Sequence, residues 1–92
     1  MQEKLIESRL KRIVEKQKGI ALKWSSFYYT GMPDRIVLLP CGKIFFVELK
    51  TTGKKLRQMQ IVAFKMLKKL GFQVFVIDSQ EGLDVFEKLI KE

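Results

Sequence analysis

Residues 31–50 read GMPDRIVLLPCGKIFFVELK, and how the two apolar runs in this stretch pair decides the fold. DRIVLL and KIFFVELK are dense in β-branched and aromatic residues, as strands are. Charges stand at one end of the pair: Asp34 begins the first run, while Glu48 and Lys50 end the second. Between them, Pro40 suits the second position of a type I turn, and Gly42 suits the left-handed residue that closes a three-residue loop with a bulge. That loop pairs Leu39 with Lys43 and, counting outward, sets Asp34 opposite Glu48. Directly opposed residues of an antiparallel pair share one face with Cβ atoms about 4.5–5.5 Å apart, and Lys50 lies on that face too. A two-residue loop would turn Asp34 to the other face. Facing carboxylates repel, so a cation is expected between them. Lys50 can fill that place in a self-satisfied Asp–Glu–Lys cluster, and so can a divalent metal with oxygen ligands. Spacing alone leaves both open.

Outward from the hairpin, residues 2 to about 18 carry Ile6, Leu10, Ile13 and Val14 at helical spacing, with Gly19 as the expected stop. Residues 20–25, IALKWS, form a short strand, and SSFYYTGMP a loop in which Pro33 holds Met32 out of helical geometry. After TTGKK the period changes. Met59, Val62, Ala63, Met66, Leu67 and Leu70 make one stripe of a helix from about Leu56 to Leu70, ended by Gly71. FQVFVID is a further strand, and the chain closes with a short helix capped by Ser79. The order helix, three strands, helix, strand, helix describes one α/β domain over residues 1–92, a mixed sheet flanked by helices. The long helix serves as the crossover between parallel strands.

Composition narrows the function. Eighteen Lys and Arg against ten Asp and Glu give a net charge of +8 on 92 residues, which favours a polyanionic partner, nucleic acid before an anionic membrane surface. No apolar run approaches the roughly 20 residues that span a bilayer, and the charged N-terminus is no signal sequence, so a cytoplasmic protein is expected. There is no histidine and a single cysteine, Cys41. That combination excludes Ser-His-Asp and Cys-His nucleophile systems, zinc sites built on cysteine or histidine, and internal disulfides. An enzyme of this composition works with carboxylates and lysine, with or without a hard metal ion.

The pattern G-x-P-D, about a dozen residues, then E-x-K ending an apolar strand resembles the PD-(D/E)xK nuclease superfamily. More narrowly, GMPDRIVLLPCGKIFFVELK, with Gln60 early in the next helix, a helical Glu near the N-terminus and the segment GIALK, resembles the virus-type replication-repair nuclease (VRR-NUC) domain. The bare PD…ExK triplet is weak, since it arises by chance; the joint spacing and strand placement are specific.

This resemblance implies a restriction-endonuclease-like core, helix-β-β-β-helix-β, and Mg²⁺-dependent phosphodiester hydrolysis in which Mn²⁺ can substitute. Asp34 and Glu48 become metal ligands and Lys50 the cation that positions or polarises the attacking water. Gln60 becomes an active-site flank, against the plain alternative of a surface glutamine. A further acid from the N-terminal helix falls on Glu7, which shares a stripe with Leu10 and Val14. Glu3 is its rival, and a simple Glu7–Lys11 ion pair is the plain alternative.

Lys54, Lys55 and Arg57 make a phosphate-tracking ridge beside the site. Lys23, Arg35, Tyr28 and Tyr29 are further candidate nucleic-acid contacts, though Tyr28 and Tyr29 also suit a dimer seam or core packing, and Lys65, Lys68 and Lys69 suit a solvated helix face. The expected partner is DNA, with no small-molecule substrate. Small size and the resemblance together imply a C2 homodimer acting on branched DNA such as a four-way junction, encoded by a phage or mobile element. A non-catalytic nucleic-acid-binding module and an accessory subunit of a replication or repair assembly are the alternatives.

Overall fold

The computed structural model describes residues 1–92. Its elements run α1 (Glu3–Lys16), β1 (Ile20–Lys23), β2 (Arg35–Leu39), a 3₁₀ turn (Pro40–Gly42), β3 (Lys43–Leu49), α2 (Gln58–Lys69), β4 (Gln73–Ile77) and α3 (Gln80–Ile90). The four strands form one mixed sheet in chain order. β1, β2 and β3 are antiparallel, and β4 lies parallel to β3. α2 is the crossover that a parallel pair requires.

The hairpin register is the expected one, with Leu39 paired to Lys43 and Arg35 to Val47. The turn itself differs. Cys41 (φ 66°) and Gly42 (φ 74°) are both left-handed, whereas a type I turn holds its second central residue near −90°. Loop length, which the turn does share with the expected one, is what fixes the register.

A second difference lies at the end of α1. The left-handed residue there is Lys18 (φ 67°), not Gly19. A Cβ on Gly19 would sit 2.5 Å from the Leu38 carbonyl oxygen. The glycine is thus needed where α1 turns back against β2, and the cap is left to its neighbour.

Strand alternation divides the sheet into two unlike faces. Val37, Leu39, Phe45, Val47, Leu49 and Ile77 point to one face, where they are buried with Ile6, Leu10, Ile13 and Val14 of α1 and Leu83, Phe86 and Ile90 of α3. Phe86 meets Phe45 and Phe75 edge-on, with centroids 5.7 and 5.2 Å away. Ser79 Oγ accepts the Gly82 N–H at 3.1 Å and caps α3 as expected.

α2 lies apart from this core and contacts β4. It buries Ala63, Phe64 and Leu67, while Met59, Val62 and Leu70 are exposed. The stripe read from the sequence therefore correctly includes Ala63 and Leu67 but is too wide on one side and omits Phe64. The second sheet face is only partly covered. Ile20, Leu38 and Ile44 form one exposed row across it, and Leu22 and Val76 are exposed as well.

Candidate active site

Asp34 and Glu48 are laced together where β2 begins and β3 ends. The Asp34 backbone N–H donates to Glu48 Oε1 at 3.1 Å, and the Leu49 N–H returns a bond to Asp34 Oδ1 at 3.3 Å. Continuing the ladder one step outward from Arg35–Val47 puts the two acids opposite each other. Lys50 Nζ lies 3.6 Å from Glu48 Oε2. Asp34, Glu48, Lys50, Arg57 and Gln60 all line one open cleft of about 560 Å³, floored in part by the Thr30–Met32 loop.

Gln60 enters this cleft from the first turn of α2. Its Oε1 accepts the Arg57 N–H at 2.9 Å, so its Nε2 is the end that faces Glu48 Oε2, at 3.1 Å. One side chain thus closes the orphan N–H at a helix start and ties that helix to the buried acid. Gln60 thus contacts the buried acid and lines the cleft.

The Glu48 side chain is 8% exposed and the Asp34 side chain 28%. Burial pushes the Glu48 carboxyl above its ordinary value, the Asp34 charge pushes it the same way, and Lys50 with the hydrogen bonds from Asp34 and Gln60 offsets this in part. Two adjacent carboxylates lining one cleft are the hard-oxygen donor set that magnesium or manganese takes, so the residues present fit such an ion, with Lys50 and Arg35 already paired to them. No third acid joins them, and no group of three His, Cys, Asp or Glu side chains converges anywhere in the chain.

Glu7 is engaged elsewhere. Its Oε2 accepts from Arg35 Nη2, and it lines a separate cavity with Leu10, Lys11, Ala21, Lys23 and Arg35. Arg35 Nη1 in turn donates to Asp34 Oδ2 at 2.9 Å and to the Asp34 carbonyl at 3.1 Å. The helix acid thus reaches Asp34 through a guanidinium instead of sharing its open side. Glu3, its rival, is exposed in the first turn of α1.

Arg35 requires a correction. It was expected to touch nucleic acid, but it is only 4% exposed and committed to two carboxylates, so it cannot reach a phosphate. Its position in a strand paired between β1 and β3 turns its side chain toward Glu7 of α1. Lys23, opposite Arg35 on β1, opens toward the Glu7 cavity and not the cleft. Lys54 and Lys55 are exposed beside the cleft without lining it, whereas Arg57 lines it. Tyr28 and Tyr29 line an adjoining cavity.

Sequence reasoning missed the role of Gly31. Its φ is +88°, and a Cβ there would lie 2.6 Å from the Met59 carbonyl carbon and 2.8 Å from the Gln60 nitrogen. This glycine lets the loop before Asp34 rest directly on the first turn of α2. Its place three residues before the acid, in GMPD, was the available signal.

Comparisons with known proteins bear on the family and the fold. Residues 1–81 match the VRR-NUC domain. Over 81 residues the chain is 46% identical to "Putative nuclease p44" of Acyrthosiphon pisum secondary endosymbiont phage 1, covering 88% of this chain and 87% of the phage protein. A solved structure of a VRR-NUC domain superposes with a TM-score of 0.84 at 33% identity, covering 98% of this chain and 95% of that one. With the domain matched over residues 1–81 and the fold matched along nearly the whole length, the chain belongs to the VRR-NUC family.

Proposed function

We propose that the protein is a divalent-metal-dependent endonuclease that hydrolyses phosphodiester bonds in branched DNA. The observation that carries this reading is the convergence of Asp34, Glu48 and Lys50 on one cleft, with Gln60 fixed against Glu48. Asp34 and Glu48 would hold Mg²⁺, for which Mn²⁺ can substitute. Bound there, the ion supplies an acidified water and Lewis-acid polarisation of a phosphoryl oxygen.

The rest of the chemistry falls to the chain's own groups. Lys50, 18% exposed at the cleft wall, offers its ammonium to the negative charge that builds on the nonbridging oxygens during in-line attack. Gln60 and the Asp34 N–H hold the Glu48 carboxylate in one orientation. Arg35, tied to Glu7, does the same for Asp34. Arg57 at the cleft, with Lys54 and Lys55 beside it, attracts and tracks the phosphate backbone.

Branched DNA and a C2 dimer form the finer part of the proposal. One 92-residue domain covers little duplex, and a pair would present two clefts to a symmetric junction. The exposed row of Ile20, Leu38 and Ile44 supports a second copy as its cover, because apolar sheet faces of this kind mark association surfaces.

The test compares labelled four-way junction, flap and linear duplex with Mg²⁺, Mn²⁺ or chelator, alongside light scattering at micromolar concentration. Metal-dependent cutting with the junction preferred, by a species of twice the chain mass, is the expected result. Equal cutting of linear and branched DNA by a monomer would remove the finer part, and no cutting with any metal would remove the whole.

A further inference from the structure

Beside the acid–lysine cleft lies a second, apolar cavity of about 250 Å³, walled by Tyr28, Tyr29, Thr30, Met59 and Val62. Thr30 and Met59 line both spaces, so the two open into a continuous surface. Its composition is unusual for so exposed a place. Tyr28 is fully exposed, and Tyr29, Met59 and Val62 are 44–53% exposed. The nuclease reading gives the tyrosines no more than general contact with DNA, and α2 does not use Met59 or Val62 to pack.

We propose that this cavity receives an unpaired nucleobase from the nucleotide flanking the scissile phosphate. The inference rests on the nuclease reading and deepens it by naming the DNA feature recognised. The walls offer two phenol rings, which stack on a base of any identity, and a thioether, which makes favourable contact with an aromatic ring. In duplex DNA the base faces are stacked on each other, and only their edges are open to a protein; a base at a fork or strand exchange is free to turn out.

Charge complementarity selects the occupant. The same continuous surface carries Lys50 and Arg57 in the cleft, and Lys65 follows one turn after Val62 on α2. A strand whose phosphate is held in the cleft would thus lay its next base against the tyrosines, with Thr30 at the wall the two spaces share. The loop backbone that carries the tyrosines is tied down: Ser26 Oγ accepts the Tyr29 N–H at 3.1 Å, and Gly31 rests against α2.

The experiment measures binding in chelator, so that nothing is cut. The probe is a forked duplex with single-stranded arms and 2-aminopurine at the first unpaired position, compared with a blunt duplex of equal length. The wild type should bind the fork more tightly and change the 2-aminopurine emission. The paired variant Tyr28→Ser, Tyr29→Ser should lose about tenfold in fork affinity, within the range of one base–aromatic stack, with blunt-duplex affinity changed less than about twofold. Tyr29→Phe should retain fork binding. Val62→Gln, which leaves the loop intact, should weaken fork binding several-fold and so tests the cavity even where the serine pair is unstable. Equal losses on fork and duplex, no loss on either, or a change confined to molar mass in light scattering would each overturn the proposal. Cleavage of the junction by the wild type with Mg²⁺, run in parallel, separates failure of this inference from failure of the nuclease reading.

Discussion

Glu7 reaches Asp34 only through Arg35, whose buried guanidinium donates to both carboxylates. The helix acid is half exposed and the strand acid partly so, but the cation between them has almost no contact with water. We therefore predict unequal costs. Glu7→Gln keeps an acceptor for Arg35 at a solvated position and should lose under about 1 kcal/mol. Arg35→Ala strands two carboxylates and empties packed volume, and should lose about 2–3 kcal/mol, near the lower edge of what breaking a buried pair costs. Urea unfolding in chelator checks both. Calorimetric Mn²⁺ titration adds a second check: Glu7→Gln should shift metal affinity less than about threefold, and a much larger loss would place Glu7 among the ligands.

How much of this site the sequence discloses depends on whether local rules or tertiary packing decide each residue. The Asp34–Glu48 relation is legible because a loop length sets a strand register, and the register survives even though Cys41 takes a left-handed conformation that the expected turn does not have. Gln60 is legible through the family pattern, and its geometry then follows from one helix-start N–H. Arg35 is not legible, because its burial depends on α1 lying over β2, which no local rule specifies. The α2 stripe is misread for a related reason. Periodicity marks Met59 and Val62 as apolar, but only the packed structure shows that they face a cavity open to solvent.

Lys50→Ala should abolish cleavage almost completely while leaving DNA binding within about threefold. One ammonium among eighteen Lys and Arg contributes little to the overall field, whereas at the cleft wall it meets the developing phosphoryl charge. Junction cleavage and a gel-shift titration, run on the same preparation, separate the two quantities. Unchanged cutting would remove Lys50 from the chemistry.

Glu48 carries a pH prediction. Burial first, then the Asp34 charge, raises its carboxyl from 4.5 in the folded chain. Between 4.5 and that raised value the folded state holds more protons at this site than the unfolded state does. Stability contributed by the site is therefore full below 4.5 and declines as pH rises through the window. In chelator, the wild type minus Glu48→Gln stability difference should fall with rising pH. Saturating Mg²⁺ should reverse that fall for the wild type alone, because an ion bound only by the folded state stabilises it. A difference that grows with pH in chelator would contradict the site's electrostatics.

Gly31→Ala should damage both fold and catalysis, and Gly53→Ala provides the matched control. Both glycines have φ +88°, so each substitution meets the same left-handed backbone penalty, about 1–2 kcal/mol. Around Gly53 a new Cβ would meet nothing within 4 Å, and that penalty should be the whole cost. At Gly31 the Cβ would meet the backbone of Met59 and Gln60, which cannot swing aside as a flexible side chain would. The loop must lift from α2, and Asp34, three residues on, moves with it relative to Gln60 and Glu48. Displacing a reacting group by about 1 Å can cost 10²-fold in rate. We expect Gly31→Ala to lose at least about 1 kcal/mol more than Gly53→Ala in urea unfolding, and to cut junction DNA at least about tenfold more slowly. Equal stability and equal rates for the two variants would show that the contact between this loop and α2 does not hold the site together.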